Sequence, residues 1–512
     1  MLLFSSGDML KQLATAPPRD LASLLNPETA LVAMQVKTDQ DALIALLTAP
    51  KEGAAGEADA AGVEYVKKLL AMRRLEQMKS EQALAALDAV AGEKDITLAD
   101  AARQAAAIIR GQPLNRPSGR EILKELSGRL PDDLGFVAVL DCERDSGEKP
   151  AAQYLQEARQ SLEKQFPAEV IAAMPLNENA VTRMTQGLIR AIGETGNIRL
   201  DAVVMMVTRD YNPPVGTGQI AFIFKGLGDP ERLRRTMFGR LNAEREFKGH
   251  RICYRDFGED GVQRADYGEA VCFLDERTLV WASPERADRD EGKPQYMERI
   301  LEALARDTRA EQPPATREAF DLVTQKGRRF AASGALAEGQ KAAMQGNLAT
   351  DLEARRERMA QWNEDDRRLP NVRAQVSMGQ AMLDLTLADR FSCYLDADGV
   401  FQMEGVCADE KTAGEVADSF VVLDDDVRAA VRSAVERMGL PLFGAIDFAK
   451  DLWHVEAAGK SARMSLDPAS VARRLLPALS FGRQRVGTPQ PQRAPAPPGG
   501  PAPVAPQPAE QP

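Results

Sequence analysis

Strand-like apolar runs occupy residues 201–208 and 219–225, joined by Asn212-Pro213-Pro214 and Gly216-Thr217-Gly218, which supply turn chemistry. Apolar positions then recur at helical spacing through Leu233, Met237, Phe238 and Leu241, after Asp229 as a cap and Pro230 at the first helical position. Short β-prone runs return at 250–254, 270–274 and 278–280. Taking 270–274 and 278–280, either side of a turn at Asp275-Glu276-Arg277, as one run, this order predicts two strands, a helix and two more strand-like runs.

The order recurs at 390–466. Residues 391–395 and 400–407 read as a hairpin about Asp398-Gly399. Asp409 caps a helix with Val416 and Phe420 inward, and a second helix carries Val427, Val431, Val435 and Met438 before Gly439 and Pro441. Residues 452–456 and 461–466 give two more strands, and Asp467-Pro468 opens a final helix. The fold class expected is therefore α+β, with repeated strand-strand-helix-strand-strand units forming antiparallel sheets packed against helices.

Elsewhere the pattern is mainly helical. Ala30–Val36 reads as a strand and Asp39–Leu47 as a helix, followed by a loose Gly/Ala/Glu-rich stretch from Lys51 to Gly62. Residues 63–111 are helical, divided at Gly92 and stopped by Gly111-Gln112-Pro113. Leu130-Pro131-Asp132-Asp133-Leu134 leads into a strand at 135–140, with helices expected at 151–166 and 180–195. Residues 312–375 are charged and mainly helical, and 374–387 reads as a further strand. The organisation expected is a strand-helix segment at 1–50, a helical insertion at 51–128, a first unit at 129–310, a charged helical connection at 311–372, a second unit at 373–480 and a tail at 481–512. That tail turns to Pro, Ala, Gln and Gly, a composition expected to stay disordered.

With 512 residues the chain has ample material for hydrophobic cores, and 44% hydrophobic with 28% charged residues is the balance of a globular protein. A net charge of −11 argues against a general nucleic-acid binder, which needs a concentrated Lys/Arg face. No apolar run is long enough to span a membrane, and Met1-Leu2-Leu3-Phe4 is too short for a signal segment, so the chain as written reads as cytoplasmic.

Candidate chemistry is sparse. Cys142, Cys253, Cys272, Cys393 and Cys407 show no metal-site spacing, although antiparallel pairing about Gly261 would let Cys253 face Cys272. His250 and His454 are the only histidines; three residues of extended chain put His250 and Cys253 on opposite faces, against a shared metal. Asp396-Ala397-Asp398-Gly399 with Glu404 lacks the first and last oxygen ligands of a calcium loop, and Gly459-Lys460-Ser461 lacks the leading glycine of a phosphate loop. Gly226-Leu227-Gly228 precedes a helix N-terminus, but Asp229 sets a negative charge where an anion would sit. No residue is singled out as catalytic, cofactor-binding or metal-binding, and no cofactor is expected.

Residues 17–32, from Pro17-Pro18-Arg19-Asp20-Leu21 through Asn26-Pro27-Glu28-Thr29, resemble the opening of a loose group of uncharacterised, often exported bacterial proteins with repeated α+β units, of planctomycete type. A second phrase, Gly249–Tyr254, Ala270–Phe273 and Asp275-Glu276-Arg277-Thr278-Leu279-Val280, is similar to one in the same group. The resemblance implies an architecture and no catalytic residues. It also implies a start upstream of Met1 and an exported or cell-envelope location. The function expected is a non-catalytic binding or structural role toward an unknown protein or small molecule. The alternatives are a hydrolase-type enzyme whose site forms only in three dimensions, or a carrier of an apolar ligand.

Overall fold

The computed structural model describes residues 20, 22, 25–49, 58–113, 117–142, 178–209, 219–239, 241–254, 270–283, 296–306, 311–325, 328–335, 338–362, 369–395, 400–437 and 453–466. The helix expected at 151–166, the final helix after Asp467, the turns near Gly261 and Asp398, and the C-terminal tail lie outside them.

The chain opens with helices α1 (Pro27–Ala33), α2 (Gln40–Thr48), α3 (Ala58–Gln77), α4 (Leu84–Ala91), α5 (Ile96–Ile109) and α6 (Gly119–Leu126). Strand β1 (Leu134–Asp141), helix α7 (Glu178–Thr195), β2 (Arg199–Thr208), β3 (Ile220–Leu227) and α8 (Pro230–Thr236) follow. Two hairpins come next, β4 (Ala243–Phe247) with β5 (His250–Tyr254) and β6 (Ala270–Asp275) with β7 (Thr278–Ala282). Helices α9 (Tyr296–Leu304) and α10 (Pro314–Thr324) lead to β8 (Phe330–Gly334), and α11 (Glu338–Ala360) and α12 (Leu369–Leu385) lead to β9 (Arg390–Leu395) and β10 (Phe401–Val406). Helix α13 (Glu410–Arg437) and the hairpin β11 (Trp453–Ala458) with β12 (Ser461–Leu466) complete the order.

Among the described residues all the strands join one antiparallel sheet of 12, in the order β11-β12-β10-β9-β8-β1-β2-β3-β7-β6-β5-β4. The expected α+β repeat is present, as one continuous sheet rather than separate ones. The unit is longer than its sequence echo, for a helix, a strand and a helical connection precede the strand pair in each copy: α6-β1-α7-β2-β3-α8 and α10-β8-α11-α12-β9-β10-α13. Each unit ends in a hairpin, and the first inserts the additional pair β4 and β5 at its outer edge. The equivalent strands β1 and β8 pair antiparallel in a register centred on Ala138 opposite Ala332, which places a pseudo-two-fold axis normal to the sheet at that point.

Pleat alternation divides the sheet into two faces. On the first face Val137, Val139, Val204, Met206, Ile223 and Val280 pack under α6, α9 and α10, including Leu123, Ile300 and Phe320. Each such side chain, fully withdrawn from water, contributes about 2 kcal/mol of transfer free energy. The opposite face is apolar in both units. In the second, Met403, Met464 and Ala462 pack against Val416 and Phe420 of α13. In the first, it carries half-buried aromatics: Phe222 lies 5.7 Å from Phe224 and 5.6 Å from Trp281, and Phe136 stacks 5.9 Å from Phe391 across the unit boundary.

Helices α1 to α5 and α7 form a separate apolar cluster built on Leu31, Leu43, Leu69, Leu70, Leu87 and Ile192. Helices α3 and α7 approach backbone to backbone at Gly62 and Gly193, where a Cβ on Gly193 would stand 3.0 Å from the Gly62 carbonyl oxygen. This cluster meets the sheet through polar groups. Arg199 at the start of β2 is ion-paired with Asp100 of α5 at 2.5 Å and with Asp201 at 3.2 Å, and bridges to Asp20, whose carboxylate receives Arg73 of α3 at 2.5 Å. Asp95, the cap of α5, binds Arg232 of α8 at 3.0 Å, and the Arg232 guanidinium lies 4.4 Å from the centre of the Tyr65 ring. Burial pushes the Tyr65 hydroxyl well above its ordinary value, and Tyr65 accepts the Asn197 N–H at 2.9 Å.

Several expectations are corrected. Ala30–Val36 is not a strand: Asn26 accepts the Thr29 N–H at 3.0 Å, Pro27 opens α1, and Val32 is exposed while Ala30 and Leu31 are buried, a helical pattern. Residues 374–387 are not a strand either; Leu369, Val376, Ser377 and Ala381 fall on the buried stripe of α12. The charged connection contains the unforeseen strand β8, whose small residues Ala331, Ala332 and Ser333 give a weak strand signal. Residues 410–437 form one helix rather than two. Helix α8 ends at Thr236, leaving Met237 exposed.

Candidate functional site

Beyond α10, the first face of the sheet changes character. In β9, β10, β12 and β11 the residues that alternate with the apolar ones are polar, and register aligns them into two rows. One row runs Ser392, Glu404, Arg463 and Glu456; the other runs Tyr394, Gln402, Ser465 and His454. The pleat makes each row a consequence of sequence, since every second residue of these strands shares the face.

The rows are knitted laterally. Arg463 Nε lies 3.1 Å from Glu404 Oε1 and its Nη1 lies 3.6 Å from Glu456 Oε1. The carboxylate of Glu404, first, and then that of Glu456 hold the Arg463 guanidinium above its ordinary value. Tyr394 donates its hydroxyl to Gln402 Oε1 at 2.5 Å, and the Arg328 guanidinium sits 4.9 Å from the centre of the Tyr394 ring. His454 stands at the outer end, 77% exposed.

Where α10 crosses the sheet, a wide-mouthed cleft of about 440 Å³ is lined by Arg317, Glu318, Asp321, Leu322, Gln325 and Arg390. Glu318 anchors it: its Oε2 is ion-paired with Arg390, 2.8 Å from the guanidinium Nε, and accepts the Ser333 hydroxyl at 3.2 Å. The carboxylates of Glu318, Glu404 and Glu456 are thus taken up in ion pairs with arginines. Ser392 is buried and Tyr394 packs against the main core, so the accessible part of the surface lies on β10, β12 and β11, where Glu404, Gln402, Arg463, Ser465, Glu456 and His454 offer hydrogen-bond donors and acceptors, which suits recognition of a polar partner better than proton transfer.

The arrangement most like catalytic machinery lies elsewhere. Lys225 Nζ donates to Thr278 Oγ1 at 2.9 Å, and that hydroxyl donates to Asp275 Oδ2 at 3.2 Å. Burial lowers the Lys225 ammonium from its ordinary value. Thr278 is only 2% exposed, however, and its proton is already given to Asp275, whose other oxygen accepts the Arg277 N–H at 2.7 Å. The group locks the β6–β7 turn. It accounts physically for the phrase Asp275-Glu276-Arg277-Thr278, a signal legible in sequence as turn chemistry.

The residues weighed in the sequence are dispersed. Cys253 stands opposite Val271 while Cys272 stands opposite Ile252, so the two thiols point to opposite faces and all five cysteines are free. His250 is opposite Phe247, away from Cys253. The Gly226 and Gly228 N–H groups donate to the carbonyls of Arg277 and Glu276, at 2.9 and 3.1 Å, rather than opening toward an anion. Gly459-Lys460 is the β11–β12 turn, with Gly459 at φ +57. Among the described residues no group of three or more His, Cys, Asp or Glu is placed to hold a metal ion, and no helix is long and apolar enough to cross a membrane. The polar rows themselves escaped the sequence reading, because they exist only once four strands are in register. Comparison of the chain with protein-family models, with curated proteins and with solved structures finds no match.

Proposed function

We propose that this chain is a non-catalytic binding protein whose recognition surface is the polar face of β9, β10, β12 and β11, together with the cleft beneath α10. The observation that carries the reading is the pair of registered rows, Ser392-Glu404-Arg463-Glu456 and Tyr394-Gln402-Ser465-His454, on a face whose counterpart in the first unit is filled with aliphatic side chains. A pseudo-symmetric fold that packs one copy of a face and leaves the other polar has two different uses for it. The partner that fits is a polar one, met by backbone-like donors and acceptors and by paired charges rather than by an apolar pocket. The Asn26 cap and the Asp275 turn give a local structural reason for the two phrases that resemble exported bacterial α+β proteins, so the resemblance bears on architecture and leaves the ligand to this surface.

The test is site-specific photo-crosslinking in cells, with the probe at Gln402 or Ser465 and, as control, at exposed Glu353 on α11. The reading requires one recurrent adduct from the two sheet positions that is absent from the control and lost on Arg463→Glu. Adducts equal at all three positions, or none from the sheet, would overturn it.

A further inference from the structure

Among the described residues the sheet has two outer strands, β4 and β11, and their sequences treat a second copy of the chain in opposite ways. Two identical edge strands related by a two-fold axis pair antiparallel, and the pleat requires that residues of the same face stand opposite each other. For β4 every such register brings like charges together. Glu244 meets Glu246 while Arg245 meets itself, or Glu244 or Glu246 meets its own copy. That edge is guarded, and its charges are already engaged within the chain: Glu244 with Arg251 and Arg234, and Arg245 with Glu298.

Strand β11 behaves differently. Centring the two-fold axis on Val455 sets His454 opposite Glu456 of the partner subunit, and Glu456 opposite the partner's His454. The neighbouring registers set His454 against itself or Glu456 against itself. One register is therefore singled out by hydrogen-bond complementarity, imidazole against carboxylate, extending the approach of His454 Nε2 to Glu456 Oε2 at 3.8 Å within each chain, and it keeps Val455 on the apolar face and His454 with Glu456 on the polar face, as in the monomer. The edge is open to such a partner: His454 is 77% and Glu456 47% exposed, and Ala457 and Ala458 are exposed beside them.

We infer that β11 pairs with β11 of a second copy of this chain, joining two sheets into one continuous antiparallel sheet. The row Glu404-Arg463-Glu456 would then continue into His454 of the partner subunit, so each copy completes the polar face of the other. The pairing rests on strand register and on the imidazole–carboxylate match at the edge, and it stands or falls independently of what that face binds.

The test is sedimentation velocity of the full chain over a range of concentrations, with circular dichroism as the control for folding. The wild type is expected to be a concentration-dependent dimer. His454→Glu sets glutamate opposite Glu456 at two places and is expected to give a folded monomer. The exchange of the pair, His454→Glu with Glu456→His, restores opposite partners and is expected to restore the dimer. A wild type that stays monomeric throughout, or a dimer untouched by His454→Glu, would overturn the inference. Photo-crosslinking at Gln402 reports on the bound partner separately, so failure of one leaves the other readable.

Discussion

Arg199 and Asp100 hold the helical cluster to the sheet: the guanidinium Nη1 lies 2.5 Å from the carboxylate Oδ2, and the arginine side chain is only 3% exposed. Its Nε is spent on Asp201 at 3.2 Å. A buried pair of this kind is costly to break one member at a time, because the survivor keeps its desolvation penalty. Asp100→Ala is expected to lower stability by about 3 kcal/mol, read as a shift in the urea midpoint. The double replacement Arg199→Met with Asp100→Leu is expected to cost clearly less than the sum of the single changes. Simple additivity would show that the pair contributes little to holding the two parts together.

The crossing of α3 and α7 depends on two residues without side chains. A Cβ at Gly193 meets the carbonyl oxygen, carbonyl carbon and Cα of Gly62 at 3.0, 3.1 and 3.2 Å, and backbone cannot swing aside as a long side chain would. Gly193→Val is expected to cost about 1–3 kcal/mol by forcing the helices apart. Amide exchange should rise first in α7, which holds Ile192 in the helical cluster. Unchanged exchange in α7 would show that the crossing has slack.

Much of the architecture was legible because turn and cap residues coincide with hydrophobic spacing. Asp229-Pro230 opens α8, with Asp229 accepting the Glu231 and Arg232 N–H groups, as those residue types favour, and α4 ends at Gly92, where the sequence divides the helical stretch. Strand β8 was illegible because Phe330-Ala331-Ala332-Ser333-Gly334 has little β-propensity of its own; it is a strand because β1 and β9 flank it. Tertiary pairing overrode local preference there. Residues 30–36 failed in the other direction, since an apolar run of that length fits either period and only the Asn26 cap decided it. The polar rows were invisible because Glu404, Arg463 and Glu456 are far apart in sequence and unremarkable singly. Sheet order, which brings β12 between β10 and β11, is what makes them a surface.

The cysteines are placed for inertness. Burial, with Asp141 and Asp201 nearby, pushes the Cys142 thiol up to about 12, and burial pushes Cys272 up to about 12. A thiol alkylates through its thiolate, so both should resist iodoacetamide at pH 8 in the native protein and react only after denaturation. Peptide mapping after brief labelling, with and without urea, measures this. Rapid native labelling at Cys272 would show that the β5–β6–β7 region opens readily.

Glu76 gives the fold a pH dependence of definite sign. Burial, the largest influence, raises its carboxyl above the ordinary value of 4.5; the Arg73 guanidinium at 3.5 Å opposes the shift, and the Asp20 charge adds to it. Between the ordinary value and the raised one the native state binds more protons than the unfolded chain. Stability contributed by this group is therefore present at acid pH and is lost as pH rises through that window. Glu76→Gln removes the titration while keeping an acceptor for Arg73. The variant is expected to show a flatter stability profile above pH 4.5 and to gain on the wild type as pH rises toward neutrality. Urea denaturation of both proteins at a series of pH values measures the difference. A variant that loses ground to the wild type with rising pH would mean that the attraction of Arg73, rather than burial, dominates at Glu76.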